Sequence, residues 1–180
     1  VELATVAAVP SIGRVLGELG ATVIKVEPPQ GDAWRSWLLV LEGAHAYGSS
    51  FASVNFNKSS VTIDAKVAEQ HAALLRLVAG ADVFITNVRA DALARLRLQF
   101  DDVARANPRI VYAHLNAWGR TGADAGLPGY DLGAFYAASS VAAHIALSPG
   151  HVRYGMFSQY PIGFGDHSTA QAMIGAIAMA

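Results

Sequence analysis

Four short runs rich in β-branched and other apolar residues punctuate this chain, and a stretch long enough for a helix separates most of them. The runs are Ala21–Glu27, Val61–Asp64, Asp82–Thr86 and Arg109–Leu115. Segments of this kind, bounded by turn-forming residues, are predicted to be strands. Strands that alternate with helices form βαβ units, and βαβ units require a mainly parallel sheet with helices packed on its faces. The fold class expected is therefore α/β.

The intervening segments agree with this reading. From Pro10 to Leu19, apolar Ile12, Val15, Leu16 and Leu19 recur at helical spacing, with Gly20 as a stop. Val67–Ala79 repeats the pattern and ends at Gly80, a short helix follows over Ala92–Leu96, and Asp101 is a credible N-cap for another reaching Ala106. Asp131–Ala143 and the chain from His167 onward also read as helices. Pro28–Asp32 and Asn116–Gly129 are predicted loops, Ala33–Asn57 is irregular with one short helix, and Ser148–Gly165 is irregular. In open α/β sheets a ligand sits beyond the carboxyl ends of the strands. Here those ends are Glu27–Pro28, Asp64–Ala65, Asn87–Val88 and Asn116–Ala117, and the site is expected among them.

Composition narrows the chemistry. A net charge of −1 supplies no global field for nucleic acid or an anionic membrane, and the absence of cysteine excludes thiolate catalysis and disulfides. No apolar run approaches the ~18 residues needed to span a bilayer. Apolar residues make up 53% of the chain against 15% charged, which implies a deeply buried sheet together with a surface that a partner covers. The start lacks both a signal-peptide pattern and Met, and the end falls inside a helical pattern, so the sequence reads as part of a longer polypeptide.

Familiar motifs are missing. Gly13, Gly17 and Gly20 lie within or after a predicted helix, so they reflect packing and capping, not a dinucleotide fingerprint. His114, His144, His151 and His167 have no metal-ligand spacing and read as structural, and no serine lies in Gly-x-Ser-x-Gly. Lys25, Arg35, Lys58, Lys66, Arg89, Arg95 and Arg97 cluster near strand ends and as a group fit a polyanion such as a nucleotide phosphate. Two carboxylates remain. Gly129-Tyr130-Asp131 and Gly165-Asp166 each open a predicted helix, where Asp is a favoured cap. A carboxylate there is kept ionised by backbone N–H groups and the helix dipole, and is able to attack an acyl carbon. On spacing alone capping outweighs attack.

The ordered set Gly20–Asp32, Asn57–Lys66, Ala81–Arg89, Asn107–Tyr112, Pro128–Asp131 and Gly165–Thr169 resembles the family III CoA-transferases, the CaiB–BaiF family. The resemblance covers nearly the whole chain. It implies a Rossmann-like, mainly parallel sheet, with residues 1–180 as the N-terminal half of a CoA-binding large domain whose small domain and C-terminal return lie elsewhere. It further implies transfer of coenzyme A between an acyl-CoA thioester and a carboxylic acid, through an aspartyl-acyl anhydride and an aspartyl-CoA thioester. Asp166 would be the nucleophile, and Asp131 matches a second acidic position near it. The implied CoA contacts are Glu27, Pro28, Ile63, Lys66, Asn87, Val88 and Arg95.

Coenzyme A is then a substrate, with no permanently bound cofactor and no metal. The resemblance also implies a cytoplasmic, interlocked homodimer. Tyr130 stands where the superfamily's α-methylacyl-CoA racemases carry a histidine, which favours transferase over the alternative, a racemase. A CoA-binding or assembly module, inactive by itself, is the alternative from another class. Ala8-Val9-Pro10-Ser11 departs from the family's usual Ala-Gly-Pro. Phe135, Tyr136, Phe157 and Tyr160 fit an apolar or aromatic acyl pocket, and core packing accounts for them about as well.

Overall fold

A five-stranded, wholly parallel sheet organises the chain, with strand order β3-β2-β1-β4-β5. The computed structural model describes residues 1–36, 48–147 and 163–180. The strands are β1 (Glu2–Leu3), β2 (Ile24–Glu27), β3 (Ser59–Thr62), β4 (Val83–Thr86) and β5 (Val111–His114). The α-helices are α1 (Ala8–Glu18), α2 (Ser49–Asn55), α3 (Ala68–Ala79), α4 (Ala90–Leu96), α5 (Phe100–Ala106), α6 (Val141–Leu147) and α7 (Phe164–Met179). A 3-10 helix spans Ala33–Ser36 and a π-helix Asp131–Ala137.

The expected α/β fold is present, and its central strand is one the pattern did not reveal. β1 is only two residues long and begins with Glu2, so no alternation can announce it. It nonetheless joins the two halves of the sheet, pairing Glu2 with Lys25 on one side and with Ile85 on the other. Alternate residues of β4 then feed two cores. Phe84 packs with Val26, Leu74, Val78, Leu93, Leu98 and Val103 against α3, α4 and α5. Ile85 packs with Val9, Ile12, Ala113, Ala170 and Ile174 against α1 and α7. Both faces are covered, as a parallel sheet requires.

Four local expectations need correction. Ala33–Asn57 contains two helical segments, the 3-10 turn and α2, and residues 37–47 lie outside those described. The N-cap of α5 is Gln99, in a reciprocal capping box with Asp102, and not Asp101. The single helix expected over Asp131–Ala143 is divided in two, because Ser140 adopts a left-handed conformation (φ 65°) that ends one ladder before α6 begins. α7 begins at Phe164, not His167, with Gly163 as its N-cap at φ 83°.

The glycines of α1 do what packing demands. A Cβ on Gly13 would overlap the Glu2 carboxylate, and Gly20, at φ 103°, turns the chain out of α1. Beneath this helix lies a buried ionic cluster. Lys25 Nζ is 3.1 Å from Glu2 Oε1 and 2.9 Å from Asp32 Oδ2, while Lys58 Nζ is 2.8 Å from Glu2 Oε2. Lys58 also donates to Pro10 O and Asn55 Oδ1, and Lys25 to Ala4 O. Two buried ammonium groups are thus matched by two buried carboxylates.

Candidate active site

α1 starts a few residues after β1, so its first turn stands at the carboxyl edge of the sheet. Ser11, in that turn, lies 3.0 Å through Oγ from His167 Nδ1 on α7. This contact sets the amino-terminal turn of α7, with Asp166 on it, at the same edge. α7 buries Gly165, Ala170 and Ile174, a stripe that fits against α1 and the sheet.

Asp166 does not cap its helix, and Asp131 does not cap its own. Asp166 is the third residue of α7, after Gly163 as N-cap. Two of the free N–H groups of that turn are satisfied from the π-helix. Asp131 Oδ2 accepts the Gly163 N–H at 2.8 Å and Oδ1 accepts the Asp166 N–H at 3.1 Å. Sequence spacing correctly associates both aspartates with helix N-termini, but a helix borrowed its cap from 32 residues upstream. No local pattern encodes such a loan. Gly165 makes it possible, since a Cβ there would overlap Asp131 Oδ1 and the Phe135 ring.

The electrostatics differ from the expectation too. A helix N-terminus alone would lower the Asp166 pKa. Burial and the adjacent Asp131 carboxylate instead push it up to about 6, with His167 pulling in the opposite direction. Asp166 remains mainly ionised at neutral pH, yet as a more basic carboxylate than an exposed one. Aromatic side chains gather at the same end of α7. Phe135 contacts Phe164 with ring centroids 5.9 Å apart and Tyr136 with centroids 5.3 Å apart, and Tyr136 is buried. Phe157, Tyr160 and His151 lie outside the described residues.

The residues expected to meet coenzyme A share the sheet's carboxyl edge but not one surface. Glu27 is buried, and Arg35 holds it through two 2.7 Å contacts, with Ser60 Oγ and the Asp32 N–H also donating to it. Burial opposes its charge, but these donors outweigh it and bring the pKa down to about 2. Ile63 belongs to the core, adjoining an open cleft of about 630 Å³ lined by Pro29, Val61, Thr62, Gln70, Arg76 and neighbours. The Asn87 side chain grips the Thr5 backbone, accepting its N–H at 3.1 Å and donating to its carbonyl at 2.8 Å. Val88 is half-buried, and its carbonyl is 2.9 Å from His114 Nε2. Lys66 and Arg95 are exposed, with Arg95 3.0 Å from Asp91.

The anticipated basic cluster therefore divides. Lys25 and Lys58 are consumed in the buried ionic cluster and Arg35 by Glu27, because buried carboxylates need them. Lys66, Arg89, Arg95 and Arg97 stay at the surface. Thr5 and Ser11 stand at this edge without any sequence signal for them, and His167, read from the sequence as structural, is bonded there to Ser11. Thr5 Oγ1 and Val6 N donate to Asp32 Oδ1, and Val6 is held at φ 67°. Among the described residues no group of His, Asp and Glu could hold a metal, and no helix is long and apolar enough to cross a membrane.

Comparison with known proteins adds an independent line. The model of CoA-transferase family III matches residues 1–180. A succinate–glutarate CoA-transferase of Agrobacterium fabrum is 37% identical over 136 residues, covering 73% of this chain and 34% of the relative. An (R)-2-hydroxy-4-methylpentanoate CoA-transferase of Clostridioides difficile is 31% identical over 96% of this chain and 43% of the relative. A crystal structure of a protein from Mycobacterium tuberculosis superposes with a TM-score of 0.78 at 31% identity, covering 99% of this chain and 48% of the other. The chain thus spans between a third and a half of the length of these relatives.

Proposed function

The chain belongs to CoA-transferase family III, and from that premise we propose that its protein moves coenzyme A between an acyl-CoA thioester and a carboxylic acid, with Asp166 as the nucleophile. The observation that carries this reading is the setting of Asp166. It is half-buried on the first turn of α7, with its own N–H bonded to Asp131 and its carboxylate more basic than usual. A carboxylate is already deprotonated and needs no general base to attack. Attack on the thioester would give a mixed anhydride and CoA thiolate. Return of that thiolate to the Asp166 carbonyl would release the first acid and leave an aspartyl-CoA thioester. An acceptor carboxylate then runs the sequence in reverse.

On the same reading, residues 1–180 form the N-terminal part of the CoA-binding domain, and the active protein is a homodimer. The loops ending β2, β3 and β4 would receive the nucleotide end of coenzyme A. Lys66 and Arg95 are the exposed cations for its phosphates, and Pro28, Ile63 and Val88 are the apolar contacts beside them. Glu27 and Asn87 would act through the loops they hold, since their side chains are already bonded within the protein. The acids handled by the relatives, short dicarboxylates and a branched 2-hydroxy acid, define the first substrate classes to try.

The test is to incubate the intact protein with an acyl-CoA and locate the adduct by mass spectrometry after trapping with hydroxylamine. The adduct is expected on Asp166. An Asp166→Ala variant with undiminished transferase activity would sink the assignment. Exchange of the substrate α-proton with solvent deuterium, in the absence of any acceptor acid, would point to the racemase chemistry instead.

A further inference from the structure

Beside Asp166 stands an imidazole whose tautomer the surroundings fix. Ser11 Oγ donates its hydrogen to Ala7 O at 2.8 Å, which leaves a lone pair to receive the Nδ1–H of His167 at 3.0 Å. Ser11 is itself buried, so this arrangement is not shared with solvent. The neutral ring then carries its free lone pair on Nε2. No residue among those described bonds that atom, and the ring is exposed. The ring also lies over the mouth of α7, since a methyl on Gly163 would sit 3.7 Å from Nε2. Imidazole and nucleophile thus share the first turn of one helix.

We propose that His167 is a further catalytic residue, its Nε2 binding a proton and pairing, as the imidazolium, with the negative charge that moves during acyl transfer. The proposal rests on Asp166 as the nucleophile. In the resting enzyme the charge is on the Asp166 carboxylate. As an Asp166 oxygen bonds to the thioester carbon, the C–S bond breaks and its electron pair leaves on sulfur. Asp166 is then neutral, as an anhydride, and the imidazolium Nε2–H hydrogen-bonds to the thiolate. When the thiolate attacks Cγ of Asp166, the Cγ–O bond to the acyl carboxylate breaks and the electron pair departs with that carboxylate. The proton stays on His167 throughout, so the cycle neither takes up nor releases one. Preorganised charge of this kind acts on the transition state.

The neighbours of the ring are compatible with a cation. Its own helix offers Asp166 and the π-helix offers Asp131, both acidic. α1 offers neutral Ser11, while Arg14 of that helix is turned to Glu18 and the Ser53 carbonyl. On β5, His114 is engaged with the Val88 carbonyl.

The experiment measures release of the first carboxylic acid from acyl-CoA in a single turnover of the intact protein between pH 5 and 9. The wild-type rate is expected to fall on the basic side as the imidazolium is lost. His167→Gln is expected to be slower by roughly 10²-fold and to lack that basic limb. His167→Ala is expected to recover with added imidazole, more at pH 6 than at pH 8. Ser11→Ala, which frees the ring, should keep the limb while slowing turnover less than His167→Gln. A His167→Gln enzyme with the wild-type rate and profile would overturn the proposal, as would a His167→Ala enzyme indifferent to imidazole. Failure of the nucleophile reading looks different: Asp166→Asn would then release the acid at the wild-type rate, whatever His167 does.

Discussion

Asp166 is a residue whose charge the fold opposes. Its pKa is raised to about 6 because burial and Asp131 both disfavour the ionised form. A carboxyl raised in the folded state lends full stability below its unfolded pKa of about 3.9, and that contribution is lost as the pH climbs through about 6. Asp166→Asn, which cannot ionise, should therefore be more stable than the wild type at pH 8. The gain is expected to be roughly 1–2 kcal/mol once partial solvent screening is allowed for. Below pH 4 the two proteins should melt together, and thermal melts at pH 3.5 and pH 8 would reveal an absent or reversed difference. Gly165 makes the opposite case. Gly165→Ala puts a methyl into the Asp131 carboxylate and the Phe135 ring, and should cost about 1–3 kcal/mol. Chemical denaturation measures that loss, and activity should fall with it as Asp131 is displaced.

At the scale of elements, the amino-terminal end of α7 is a joint between three segments. The π-helix supplies Asp131, α1 supplies Ser11, and Gly163 makes the left-handed entry. Asp131→Ala removes acceptors from two backbone N–H groups and is expected to cost about 1–2 kcal/mol, in the range of a lost cap. It also removes a like charge, so the Asp166 titration should move down while staying above that of an exposed Asp, since burial remains. NMR titration of the Asp166 carboxyl carbon would detect the shift, and an unchanged value would mean that Asp131 acts on the helix alone. The helices of this joint illustrate what a sequence carries. The alternation of strand and helix was legible because each of those elements repeats a period over several residues. The partnership of Asp131 with Asp166 was not, because it joins atoms 35 residues apart whose only local trace is Gly165. The cap of α5 misleads for a different reason: Asp101 is the stronger cap by residue type, yet Gln99 and Asp102 form the reciprocal box, while two-residue β1 has no period to read.

Across the whole molecule, the buried ionic cluster ties the central strand to everything around it. Glu2 on β1 meets Lys25 on β2 and Lys58 before β3, and Lys58 reaches back to Pro10 O on α1 and to Asn55 of α2. Asp32 passes the order onward to Thr5 and Val6, beside the expected coenzyme site. Sequence reasoning placed Lys25 and Lys58 among the ligand-binding cations because it could count charges near strand ends but not see which carboxylates were buried under them. Such a cluster adds little stability over a well-packed apolar core, yet removing one partner is expensive because another charge is stranded. Lys58→Met should therefore destabilise the protein by about 3–5 kcal/mol, leaving Glu2 Oε2 without its nearest ammonium and removing a donor from Pro10 O and Asn55 Oδ1. The double variant Lys58→Met/Glu2→Gln removes the stranded charge and should recover part of that loss. Denaturant unfolding of these two variants and of Glu2→Gln alone, at matched slopes, isolates the coupling. A Lys58→Met protein within about 1 kcal/mol of wild type would mean that the cluster is solvated and does not join the strands.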